Sequence, residues 1–96
     1  MRKYEAMFIV RPDLSEEEKK NLFSQIQEAV NKNKGQVSQA AVWAEKRKLY
    51  FRLKKYTEGI YYLMNFDLAD PVSIAEIQRN YRLNEDILRT LITQIG

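Results

Sequence analysis

Residues 46 to 55 read KRKLYFRLKK, which sets six cations in ten residues with no acid among them. Lys46, Arg47, Lys48, Arg52, Lys54 and Lys55 supply the charge, and Leu49, Tyr50, Phe51 and Leu53 are set between them. Lysine and arginine neutralise phosphates, and Tyr50 or Tyr56 could stack on an unpaired base, a contact worth about 1–3 kcal/mol. The competing reading is a solvated strand edge, where lysines discourage sheet-to-sheet aggregation. The charge is local: the other 86 residues carry ten cations against 13 acids, although the whole chain has a net charge of +3.

Other chemistry is narrowed by what the chain lacks. With no cysteine there is no disulfide or thiol nucleophile, and with no histidine either there is no His- or Cys-ligated metal and no Ser-His-Asp arrangement. An acyl-phosphate hydrolase built on an arginine and a glycine-rich anion loop is also disfavoured. The stretch RPDLSEEE has no glycine and puts three acids where the phosphate would sit. Glu16, Glu17 and Glu18 read as a helix start, because adjacent helical positions do not converge on one ion. No cofactor and no metal are expected, and the chain is read as no enzyme.

The elements that must hold the basic run follow from the pattern around it. Ninety-six residues, 45% hydrophobic and 30% charged, suit a single domain spanning 1–96 with one modest core. Residues 3 to 10, KYEAMFIV, read as a strand ended by Pro12. Ser15 and Glu18 form a capping box for a helix with Leu22, Phe23, Ile26, Ala29 and Val30 on one stripe, stopped at Gly35 in the left-handed conformation. Residues 36 to 53 read as a long strand with a bulge near Ala44, Tyr56 to Gly59 as a turn, and IYYLMNFDL as its antiparallel partner. Asp70 and Pro71, or Ser73 with Glu76, open a second helix carrying Ile74, Ile77 and Tyr81, and residues 87 to 95 form a last strand. The order β-α-β-β-α-β predicts an α+β, ferredoxin-like fold: a four-stranded antiparallel sheet with two helices on one face. Trp43 and Phe23 are expected in the core, the odd apolar residues of the basic run buried, and Tyr4, Tyr61 and Tyr62 fit either core or surface.

Three longer motifs carry a resemblance. MRKYEAMFIVRPDL, KRKLYFRLKKYTEGIYYL and RLNEDILRTLI, in that order, resemble the opening strand, basic hairpin and closing strand of the bacterial small-subunit ribosomal protein number six family. The resemblance implies a structural protein that binds the central domain of small-subunit ribosomal RNA. It also implies a heterodimer with small-subunit ribosomal protein number eighteen during assembly. RNA contacts carried over position by position fall on Arg2, Tyr4, Lys46, Arg47, Lys48, Arg82 and Arg89, and the charge argument adds Lys54, Lys55 and Tyr56. Where the family usually has alanine, tyrosine and proline after the leucine, this chain has Tyr50, Phe51 and Arg52, and Trp43 sits one residue farther from the basic pair. The sequence stops at Gly96, so contacts from the charged tail that many relatives carry are not assumed. A signal peptide is not expected either, since Glu5 would interrupt its apolar core, so the protein is expected in the cytoplasm, on the ribosome, with no membrane and no small-molecule substrate. The alternatives are a generic RNA-binding module, although the usual RRM signature is missing from the third strand, or a small-ligand sensor domain of the same fold.

Overall fold

The computed structural model describes residues 2–95. Six elements follow one another: β1 (Arg2–Val10), α1 (Glu16–Lys32), β2 (Gly35–Leu53), β3 (Tyr56–Leu68), α2 (Ser73–Leu83) and β4 (Ile87–Ile95). The strands form one sheet in the order β2-β3-β1-β4, with every pairing antiparallel. This is the ferredoxin-like arrangement expected from the sequence.

Strand parity decides which face is buried. Tyr4, Ala6, Phe8 and Val10 of β1 and Ile60, Tyr62, Met64, Phe66 and Leu68 of β3 lie in one cluster with Leu22, Ile26 and Val30 of α1 and Ile77 and Tyr81 of α2. Both helices therefore cover the same face, and the other is left open. Phe8 meets Tyr81 edge-on with ring centroids 4.9 Å apart, and the Tyr81 hydroxyl donates to the Ile26 carbonyl at 2.6 Å. Helix α1 opens on the expected capping box: the Glu18 amide donates to Ser15 Oγ at 3.1 Å and the Ser15 amide to Glu18 Oε1 at 2.9 Å.

Several local expectations are corrected. The left-handed residue after α1 is Lys34, with φ 61°, while Gly35 already pairs with Leu68 in β2. A Cβ on Gly35 would lie 2.6 Å from both Leu68 Cδ2 and Val30 Cγ1, so glycine is needed there for close approach. The β2–β3 turn is Lys54-Lys55, with Lys54 at φ 56°, and Tyr56 to Gly59 belong to β3. Gly59 again serves proximity, since a Cβ would strike Ile9 Cγ2. Asp70 does cap, its carboxylate accepting from the Val72 amide at 3.0 Å, but it caps a tight turn that precedes α2. Trp43 is outside the core, half exposed at 53%, with its ring edge-on to Tyr61.

Candidate nucleic-acid interface

Strand β2 is six residues longer than β3, 19 against 13, and the excess is absorbed where the cations lie. Register shifts fall on both sides of Ala44, where the sequence predicts a bulge, and a larger one lies between Lys48 and Leu53. There Leu49, Tyr50, Phe51 and Arg52 face Thr57 alone, so they form an arch instead of a ladder. The arch bends over the open side of the sheet. Leu49, Tyr50 and Phe51 line an apolar cleft of about 220 Å³ with Met7, Ile9, Tyr61, Arg89 and Leu91, and the Arg89 guanidinium lies 5.5 Å from the centre of the Phe51 ring. Phe51 remains 55% exposed, and Leu49 and Leu53 are half-buried, so the expected burial of the odd positions is only partial.

All six cations of the run are exposed. Their side chains have little acid to consume them. Glu45, the acid just before the run, points to α1, where its carboxylate lies 3.4 Å from Lys19 Nζ. Arg47 spends part of its guanidinium on the Trp43 ring, 4.7 Å from its centre, and Lys55 Nζ lies 6.0 Å from the half-buried Tyr56 ring. At the turn, Lys54 Nζ donates to the Glu85 carbonyl at 3.3 Å, which ties the hairpin tip to the segment between α2 and β4.

That tie assembles a second group of charges. Lys54, Arg82 and Arg89 line one recess of about 380 Å³ together with Gln78, Leu88 and Thr90, although Lys54 lies 28 and 35 residues away from the two arginines in sequence. Three cations around one recess suit an anion with several oxygens. Arg11, near them at the end of β1, is already committed: it bonds Asp13 at 2.9 Å and Asp86 at 3.0 Å.

Two expected contacts are not part of this surface. Tyr4 is buried at 5% exposure and stacked on Phe66 with centroids 5.5 Å apart, because even positions of β1 face the helices, and its ring is not available to a base. Arg2 is exposed, but it pairs opposite Leu68 at the far end of β1 from the hairpin, about 26 Å from Val10 at the usual rise per residue. Tyr62 belongs to the core side, stacked on Phe23 at 4.0 Å and accepting from Gln27 Nε2 at 2.9 Å. The apolar cleft lies where the second apolar parity of β1 and β4, from Met7 and Ile9 to Leu91, hints in the sequence that part of the open sheet face is covered by a partner.

The family model for ribosomal protein S6 matches residues 3–94. The small ribosomal subunit protein bS6 of Dictyoglomus turgidum is 43% identical over 93 residues, covering 97% of this chain and 94% of that protein. The protein of the same name from Geotalea daltonii is 43% identical over 89 residues, covering 93% of this chain and 68% of its own length. Among solved structures, the 30S ribosomal protein S6 of Thermotoga maritima superposes with a TM-score of 0.88 at 29% identity, covering 98% of this chain and 87% of that one. An Arabidopsis thaliana protein with a TM-score of 0.58 at 10% identity shares the fold alone.

Proposed function

The chain belongs to the ribosomal protein S6 family, a non-enzymatic structural constituent of the small ribosomal subunit in the cytoplasm, and from that premise we propose how it is held there. It binds the central domain of small-subunit ribosomal RNA through the cations of the β2–β3 hairpin and the recess of Lys54, Arg82 and Arg89. The observation that carries this reading is the tie of Lys54 to Glu85, which sets hairpin and β4 charges around one recess. Arg2 contributes a separate phosphate contact at the other end of the sheet.

Small-subunit ribosomal protein number eighteen is the protein partner, and the open sheet face is its seat. An apolar cleft lined by Phe51 and Leu91, with Trp43 edge-on to its Tyr61 and all three more than half exposed, is the kind of surface that a soluble protein covers with a partner. RNA and partner then occupy adjoining surfaces, joined where Arg89 covers Phe51.

A salt titration of binding to a central-domain transcript, with and without the partner and with an unrelated RNA as competitor, tests this reading. With four to six phosphates neutralised, the logarithm of the binding constant falls by about 0.7–0.9 per contact for each tenfold rise in salt. Replacing Lys46, Arg47 and Lys48 together by glutamine flattens that slope and leaves thermal stability nearly unchanged, since exposed charges contribute little to folding. Weak binding that ignores RNA identity and the partner overturns the reading and leaves the hairpin a solubilising edge.

A further inference from the structure

Tyr50 is the one aromatic side chain of the chain's described residues left wholly in solvent, with a relative exposure of 105%. Folding gives no reason for a large ring at that position. Its neighbours Leu49 and Leu53 are half-buried, and Phe51 has the Arg89 guanidinium over its ring. The arch is thus held by its odd positions, and Tyr50 and Arg52 are left exposed between them. Two further features bear on what meets the ring. Lys48 and Arg52 stand two residues to either side of it, and no acid occurs between Lys46 and Thr57. The four arch residues also lack ladder partners, so their backbone is free of the spacing a regular strand would impose.

We propose that Tyr50 is a stacking platform for one unpaired base of the bound RNA, with Arg52 and Lys48 on the phosphates that flank that base. The proposal rests on the RNA-binding reading above. It goes beyond it by assigning a base contact, where every other residue of the interface is a phosphate contact, and by placing that contact on two positions, Tyr50 and Arg52, where the resemblance leads one to expect alanine and proline. An aromatic face accepts any base, so the contact adds affinity for single-stranded or looped RNA without choosing a sequence. Tyr50 stands at the lip of the apolar cleft, but its full exposure and the six cations of the run around it favour an anionic nucleic acid over an apolar protein surface at the ring.

The test measures binding of the full chain, with its protein partner present, to the central-domain transcript at several salt concentrations. Wild type is compared with Tyr50→Phe, Tyr50→Leu and Tyr50→Ala. Because the side chain is fully exposed in the folded chain, all three variants keep a melting temperature close to that of wild type. The phenylalanine variant binds within about twofold of wild type, and the leucine and alanine variants bind about 5- to 100-fold more weakly with the salt slope unchanged. Ultraviolet irradiation of the wild-type complex gives a nucleotide adduct on the peptide that contains Tyr50. If the alanine variant binds as tightly as wild type while wild type binds specifically, the stacking assignment is wrong and the RNA-binding reading survives. If leucine restores binding, the ring docks on protein and the proposal fails. If wild type itself does not bind the transcript, the RNA-binding reading fails and takes this one with it.

Discussion

Tyr81 joins the two helices through one hydroxyl, which donates to the Ile26 carbonyl from a buried position, and burial holds its pKa above the ordinary phenol range. The group therefore stays protonated and keeps donating at any pH the folded protein meets. Tyr81→Phe removes the bond without emptying space, and urea denaturation should show a loss of about 1 kcal/mol. Glu18 carries a different signature. Its carboxylate is held below the usual range first by the hydrogen bond from the Ser15 backbone and then by that from its side chain. A depressed pKa stabilises the fold above the unfolded-state value and loses that contribution as pH falls through the folded-state value. The wild type should thus lose its advantage over Glu18→Gln below about pH 4, the ordinary glutamate range, when urea midpoints at pH 7 and pH 3 are compared. The Ser15–Glu18 pair was legible in the sequence because a cap depends on four consecutive residues; the burial of Tyr4 was not, because it depends on which face of β1 the helices cover.

Among the elements, β2 shows where sequence reading works and where it stops. The bulge beside Ala44 could be read because Lys46 to Lys48 break the alternation of apolar residues. The position of the turn could not, because Gly59 looks like a turn residue while its absent side chain in fact makes room for Ile9. Trp43 escaped the core for a related reason: a register shift between Val42 and Ala44 turns it beside Tyr61 on the open face. The same irregularity predicts dynamics. Amides of residues 49 to 52, which face Thr57 alone, should exchange with deuterium much faster than those of residues 61 to 68, which pair on both sides with β1 and β2. Comparable protection across the two segments would show that the arch has partners the register does not provide. Ser15→Ala at the head of α1 should cost about 1 kcal/mol of stability, read from the shift in urea midpoint.

For the whole molecule, charge and apolar surface are divided between regions. Cations gather at the hairpin and at Arg82 and Arg89, Asp13 and Asp86 hold Arg11 while Glu16 and Glu45 hold Lys19, and the apolar surface lies on the open sheet face. Leu91, 61% exposed in that face, tests the division. Leu91→Gln should change unfolding stability by less than about 1 kcal/mol, yet remove the tightening of RNA binding that the protein partner brings while leaving the salt slope in place. The fold could be read from the order of elements, but the recess of Lys54, Arg82 and Arg89 could not, since its members meet only through a crossing contact at the tip of the hairpin. That contact also has an order in time. Lys54 is made 31 residues before Glu85 and 35 before Arg89, and the strand that seats beside β1 follows the other described elements. A chain that lacks β4 therefore lacks the recess, so the surface proposed for RNA is complete only once Arg89 has been added to a hairpin made 35 residues earlier.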